Sequence, residues 1–339
     1  MAAVRLGPRQ RPPGHPDVLS PVFWLHDRVV LLDQRRLPHE EVWTGYDDGD
    51  DIVRAIREME VRGAPAIGCA GAFAVALMAG LGLPSVELRR RMRTIVEARP
   101  TAVNLAVAVH RMANALTMGR DPVVEAQLIW NEDLAACRAI GNRGAALLPA
   151  EGTILTHCNA GGLATAGYGT ALGIVRAAVA AGKRISVLCD ETRPWLQGAR
   201  LTTWELAQDG IPVEVIIDGA AAHYLSRGEI AAVVVGADRI ARNGDVANKI
   251  GTVGLAAAAS TFGVPFYVAA PRTTVDHSTT NGAEIPIEVR DVEEVASMEG
   301  RRVLPDGVGA RNPVFDVTPA RLVTAVVTDT GVWTAPYAF

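Results

Sequence analysis

Between residues 50 and 148, apolar side chains recur every three to four positions, the repeat of helices buried along one face. The pattern predicts helices over 50–60, 66–80, 86–97, 104–116 and 123–148. Gly141 and Gly144 predict an irregularity in the last of them. Two short runs ahead of this region, 28–32 and 41–44, are long enough only for strands. Near residue 150 the period changes. Short apolar runs at 153–157, 185–189, 213–217, 232–235, 266–269 and 323–327 then alternate with helix-sized stretches. That alternation predicts right-handed crossovers and a parallel, doubly wound sheet. The expected organisation is a flexible tail over 1–20, a mainly helical N-terminal domain with a small sheet over 21–149, and a Rossmann-like domain over 150–339.

One stretch imitates a membrane span. AIGCAGAFAVALMAGLGL, residues 66–83, carries no charge and has the length to cross a bilayer. It is mostly Gly and Ala, however, and lies between Arg62 and the basic ELRRRMR, so it predicts a buried helix whose small residues admit close neighbours. The opening MAAVRLGPRQRPPGHPD lacks the apolar core of a signal peptide and reads as a Pro-rich tail.

A chain of 339 residues exceeds the usual single domain, in keeping with two cores. Hydrophobic residues at 49% and charged residues at 21% are ordinary for a soluble globular protein. A net charge of -4 argues against nucleic acid or an anionic membrane as partner, so an anionic ligand must be met by local cations. Cys69, Cys137, Cys158 and Cys189 show neither C-x-x-C nor zinc spacing, which predicts free thiols in a reducing, cytoplasmic compartment.

In doubly wound sheets ligands sit beyond the carboxyl ends of the strands. The first strand of the second half ends at His157, Cys158, Asn159, Ala160, Gly161 and Gly162, and the second at Cys189, Asp190, Glu191, Thr192 and Arg193. The fourth ends at Gly236, Ala237, Asp238 and Arg239, followed by Asn243, Gly244, Asp245, Asn248 and Lys249. A lone Cys usually packs as a small hydrophobe, and Cys69, Cys137 and Cys189 keep that reading. His157 is expected on the opposite strand face from Cys158, behind the sheet, which disfavours a Cys-His dyad. Asp238 fits a helix cap, an ion pair or a functional acid. Lys249 near a helix start opposes the macrodipole, and a bound phosphate would account for it.

Gly167, Gly169 and Gly173 with Asp190 and Glu191 imitate a dinucleotide fingerprint. Gly167, though, is expected inside a helix and not in the turn after the strand. Asp190, Glu191, Asp238 and Asp245 are the ligand type of a hard cation, yet no metal-ligand cluster is apparent. No metal and no cofactor is expected.

Seven stretches carry a closer likeness: LLDQRRLP (31–38), VRGAPAIG (61–68), ARPTAVNLA (98–106), THCNAGGLAT (156–165), DETRPWLQGARLT (190–202), GADRIARNGDVANKIGT (236–252) and NPVFDVTP (312–319). In that order they resemble the methylthioribose-1-phosphate isomerase family. Its wider relatives include regulatory subunits of a translation-initiation exchange factor and archaeal ribose-1,5-bisphosphate isomerases. The resemblance implies an aldose-ketose isomerase of methionine salvage, acting as a homodimer on 5-methylthioribose 1-phosphate. It also implies substrate contacts from Arg62, Gly63, Ala64, Arg99, Gln197, Asn248 and Lys249, with Asp238 as proton donor and Cys158 as second catalytic group. Arg143-Gly144 departs from the His-Gly common among relatives.

The implied chemistry is demanding. Phosphate on the anomeric oxygen blocks ordinary ring opening, so the ring oxygen must be protonated by an acid that survives near neutral pH. Asp238 therefore needs burial to raise its pKa. Hydrogen then passes from C2 to C1, either through an enol with Cys158 thiolate as base or by hydride shift in a site that Cys158 shapes. Arg62, Arg99, Lys249 and the Gly161 and Gly162 amides are expected to hold the phosphate. Phe23, Trp24 and residues 61–67 are expected to wall the sugar's far end.

Overall fold

The computed structural model describes residues 14–99, 102–298 and 300–339. β1 (Val22–Leu25), β2 (Arg28–Leu32) and β3 (Trp43–Tyr46) pair as an antiparallel meander. Five helices follow: α1 (Gly49–Arg57), α2 (Ala64–Gly80), α3 (Ser85–Val96), α4 (Val103–Thr117) and α5 (Pro122–Ala145). Their starts obey local chemistry. The Asp48 carboxylate caps α1 by accepting from the Asp50 amide at 2.9 Å, and Asp121 caps α5 with Pro122 at its first turn.

The uncharged stretch is α2, the hub of the helical core, buried on nearly every face. A Cβ on Gly71 would meet Leu105 Cδ1 at 2.4 Å, so the glycine lets α4 close onto α2. No helix among the described residues is long and apolar enough to cross a membrane.

The main sheet has seven strands: β4 (Glu151–Thr156), β5 (Arg184–Asp190), β6 (Val213–Ile216), β7 (Ile230–Val235), β10 (Phe266–Ala269), β15 (Ala325–Val327) and β16 (Val332–Trp333). Their order is β16-β15-β10-β7-β4-β5-β6, all parallel except β16. Residues alternate between two cores. Leu155, Val233, Val235 and Val268 pack under α8 (Ala221–Ser226) and α9 (Thr252–Thr261). Ile154, Ala232, Val234 and Val327 face α5 and α6 (Ala171–Ala180). The sheet is covered on both faces, as the alternating pattern predicted.

Three expectations are corrected. α5 runs unbroken through Gly141 and Gly144: a Cβ on Gly144 would strike Ile174 side-chain atoms at 2.2 Å, so this glycine marks close approach to α6, not a kink. Gly167 and Gly169 lie in a loop, because α6 begins only at Ala171. Of the expected tail, residues 1–13 lie outside the described residues, while the rest is packed. His15 meets the rings of Phe23 and Trp43 at 5.0 and 4.8 Å, and the Trp130 indole of α5 donates to Ser20 Oγ and Val22 O.

A second, four-stranded sheet was not foreseen. β8 (Arg239–Ala241) and β9 (Val246–Lys249) form a hairpin, flanked by β11 (Val275–Asp276) and β14 (Phe315–Thr318). The Asn243-Gly244 pair, the common two-residue hairpin signal, marks its turn. β12 (Ser297–Met298) and β13 (Arg301–Arg302) pair separately, and α7 (Thr203–Gln208) and α10 (Glu293–Ala296) are short.

Candidate active site

Strand order places the chemistry. β4 is flanked by β5 on one side and β7 on the other, so consecutive strands leave β4 in opposite directions, which makes the crevice beyond β4 and β7 the ligand position of such sheets. Cys158 follows β4 and Asp238 follows β7. Both line one pocket with Arg62, Arg99, Gln197 and Lys249. Gly63, Ala64 and Asn248 line it too.

Cys158 is buried and has φ 62°, an uncommon conformation for a residue with a side chain. Two threonines hold it there. Its amide donates to Thr192 Oγ1 at 2.8 Å, and its carbonyl accepts from Thr202 Oγ1 at 2.6 Å. No hydrogen bond joins Cys158 to His157 among the described residues, in keeping with the absence of a dyad.

His157 is nevertheless not behind the sheet. β4 stops at Thr156, so strand alternation no longer governs the next side chain, and His157 turns to the pocket rim. Its Nδ1 lies 2.9 Å from Asp190 Oδ2 and its Nε2 lies 2.8 Å from the Ile250 carbonyl. A carbonyl only accepts, so Nε2 carries a proton, and a carboxylate at Nδ1 favours a second. Burial alone would lower the His157 pKa, but the Asp190 hydrogen bond and charge outweigh it and leave it raised. Gly251, at φ 105°, lies against the ring, where a Cβ would come within 2.9 Å of Cε1. His157, Asp190 and Asp218 could share a cation by proximity. Each is already bonded within the protein, Asp218 accepting from the Thr192 and Arg193 amides. Asp245, another expected carboxylate, instead accepts from the Gly282 and Ala320 amides, away from the pocket.

Asp238 is an acid held back from ionising. Burial raises its pKa, and Lys249, Arg62, Arg99 and Arg290, all pulling the other way, do not cancel that. Lys249 ends β9, stacks its ammonium 4.5 Å from the Phe315 ring, and is pushed by burial down to about 8, against the opposing charges of Cys158 and Asp238. Arg62 is aimed by Asn159, donating to its Oδ1 at 2.6 Å and its carbonyl at 3.0 Å. Arg99 is buried beside Glu288, 3.7 Å away, and burial pulls its pKa down.

Between these cations α2 begins. Gly63 takes φ 95° and fits against Ala164, where a Cβ would meet Cα at 2.5 Å. No side chain caps this end, and Gly63, Ala64 and Ile67 line the pocket, so an uncapped helix start borders it, a favourable setting for an anion. Opposite stand hydroxyl acceptors. Gln197 precedes a π-helical turn (Gly198–Thr202), and both its Oε1 and that of Gln34 are buried without a partner. Asn248 is oriented by its amide donating to Thr252 Oγ1 at 3.0 Å.

Two expected groups do not join. The Gly162 amide donates at 2.7 Å to the buried Glu205 carboxylate, and a Cβ on Gly161 would meet the same carboxylate at 2.4 Å. This turn is therefore a nest for Glu205 and not for phosphate. Phe23 and Trp24 belong to β1 and pack on Trp43 and Phe73; Met59, Ile67, Trp195 and Phe315 supply apolar wall instead. Arg290 and Gln34 were missed as pocket residues. Gln34 lies inside LLDQRRLP, a usable signal, whereas Arg290 lies outside every recognised stretch.

The Lys249 shift predicts a pH limit. Its cation is present below about 8 and lost above it. Inorganic phosphate affinity, measured by calorimetry and referred to the dianion, should be level up to that pH and then weaken by up to about tenfold per pH unit. Lys249→Arg should remove the slope, because a guanidinium stays charged. A slope unchanged in that variant would assign the titration to another group.

The initiation factor 2 subunit family matches residues 60–335 of the chain. Methylthioribose-1-phosphate isomerase of Anaeromyxobacter sp. (strain Fw109-5) is 56% identical over 327 residues, 96% of this chain and 97% of its own. That of Geobacter sulfurreducens (strain ATCC 51573 / DSM 12127 / PCA) is 53% identical over 331 residues, 93% and 96% of the two chains. Among solved structures, 5-methylthioribose 1-phosphate isomerase from Pyrococcus horikoshii OT3 superposes with TM-score 0.89 at 40% identity, covering 95% of this chain and 94% of its own. Translation initiation factor eIF-2B, subunit delta, from A. fulgidus gives 0.85 at 40% identity, covering 94% and 97%. The chain is an isomerase of the methylthioribose-1-phosphate isomerase family, within the initiation factor 2 subunit family.

Proposed function

We propose that this enzyme converts 5-methylthioribose 1-phosphate to 5-methylthioribulose 1-phosphate in methionine salvage. The observation that carries this reading is Asp238, a carboxyl group whose pKa burial raises and which lines a cationic pocket. Its proton goes to the ring oxygen, the C1–O bond to the ring breaks, and positive charge develops at C1 next to the phosphate-bearing oxygen. Hydrogen then passes from C2 to C1, with Cys158 as the second catalytic group, and the C2 hydroxyl returns its proton to the Asp238 carboxylate, which leaves the ketone and restores the acid. Arg62, Arg99, Lys249 and the start of α2 with Gly63 and Ala64 hold the phosphate. Gln197 and Asn248 receive sugar hydroxyls, which supplies the partner that Gln197 Oε1 lacks. A regulatory-subunit role, suggested by the A. fulgidus relative, has no need of a buried acid with a raised pKa.

We assign residues 21–149 and 150–339 to two domains that meet at this pocket. A homodimer in the cytoplasm completes the reading, and every residue invoked in the chemistry comes from one chain.

The deciding experiment compares 5-methylthioribose 1-phosphate with ribose 1,5-bisphosphate. Burying the methylthio group against apolar wall such as Ile67 and Trp195 gains roughly 1 to 2 kcal/mol, whereas an unpaired second phosphate there costs more. The methylthio sugar should be preferred at least ~100-fold in kcat/KM, about 2.7 kcal/mol of transition-state binding. Equal or better turnover of the bisphosphate would transfer the assignment to that substrate.

A further inference from the structure

The NPVFDVTP stretch contributes Phe315 to the pocket, but its Asn312 has no place in the chemistry above. Asn312 is buried and donates from Nδ2 to the Asp291 carbonyl and to Glu294 Oε2, both at 2.9 Å. It thereby fastens the segment between the second sheet and α10. The backbone is zipped at the same place. The Arg290 amide donates to the Asn312 carbonyl at 3.0 Å, the Val314 amide donates to the Glu288 carbonyl at 2.9 Å, and Val289 bridges Pro313. One residue further on, Phe315 pairs in register with Lys249 across β14 and β9. The cation Arg290 is therefore mounted on the same frame as Lys249 and not on a free surface loop.

Its side chain lines the pocket and is largely buried. Nε donates to Glu288 Oε1 at 2.7 Å, and the same carboxylate faces Arg99 at 3.7 Å. Glu288 thus holds two guanidiniums side by side at one wall. Arg290 Nη1 reaches the Met59 sulfur at 3.5 Å, a weak acceptor that an oxyanion would readily displace. Arg200, which lines this pocket with Arg62, Arg99 and Arg290, is spent on structure, donating to the carbonyls of Gln34, Arg35 and Leu37.

We propose that Arg290 is a further phosphate-binding residue of this site, aimed by Glu288 and by the Asn312 clasp. This rests on the sugar-phosphate reading above. Two guanidiniums sharing one carboxylate leave an excess of positive charge that a phosphate dianion neutralises, and the planar fork suits its paired oxygens.

The test uses the full chain, calorimetry with inorganic phosphate and steady-state kinetics with 5-methylthioribose 1-phosphate. Arg290→Gln should weaken phosphate binding and raise KM by at least ~10-fold each, the scale of a charge-assisted contact, with kcat within about threefold and the melting temperature retained. Arg290→Lys should fall between, since it keeps the charge and loses the fork. A purely structural role would move the melting temperature and leave phosphate affinity within twofold, and that result overturns the proposal. Should Arg290→Gln not fold, Arg290→Lys decides: phosphate affinity at least threefold weaker sustains the proposal, and parental affinity overturns it. A parent enzyme that binds phosphate through Arg290 but does not turn over the sugar would refute the function reading and leave this one standing.

Discussion

Asp238→Asn should lower kcat by about 10²- to 10⁴-fold, the contribution of a well-placed general acid, while phosphate and substrate affinity persist. The substitution keeps shape and removes the one proton that the ring oxygen needs. Burial raises the Asp238 pKa, so near neutral pH the variant removes less charge than replacement of an ordinary aspartate would. Phosphate affinity at pH 8 then reads the charge of Asp238, and a neutral carboxyl gives a variant that matches the parent. An ionised Asp238 would give a different result: its replacement would take a stabilising anion from Lys249 and weaken phosphate binding at that pH. Loss of affinity with kcat intact would reduce Asp238 to a binding group.

Cys158→Ala should cost at least ~100-fold in turnover with fold and binding retained, again the scale of one positioned catalytic group. Cys189→Ala is the matched control. Cys189 is fully buried in β5, its Sγ donates to the Asp190 carbonyl at 3.3 Å, and burial pushes its thiol well above the ordinary range. It lacks the means to react, so its loss should leave turnover near that of the parent. The hydrogen-transfer route is read in the same assay run in deuterium oxide. An enol route carries solvent deuterium to C1, and a direct shift does not. Equal losses in the two variants, or none in either, would return Cys158 to packing.

Much of this site was legible because the candidate catalytic positions follow strands whose apolar runs are local signals. The runs ending near Cys158 and Asp238 needed only period and length to be found, and the rule for doubly wound sheets then indicated their carboxyl ends. Resemblance supplied Arg62, Arg99, Gln197, Asn248 and Lys249, and all of them line the pocket with those two. The two glycines next to Cys158 misled. An amide-rich turn looks the same in sequence whether it will hold a phosphate or a carboxylate, and the occupant, Glu205, comes from forty-odd residues further along.

The sequence alone determined the five N-terminal helices and six strands of the main sheet, that the second half is a doubly wound sheet, and which residue types crowd its rim. These follow from periodicity and turn chemistry, which act over a few neighbouring residues. Tertiary structure decided the rest. The second sheet is built of strands two to four residues long, too short to show a period, and it exists because β14 pairs with β9 across more than sixty residues. His157 faces the rim because Asp190 and Ile250 bond it there, and Arg290 enters the pocket because Asn312 and Glu288 hold it. The Asp238 pKa is raised by burial against the pull of Lys249, Arg62, Arg99 and Arg290. Desolvation and charge act through space, between residues brought together only when distant segments pack, so no local pattern in the chain encodes them.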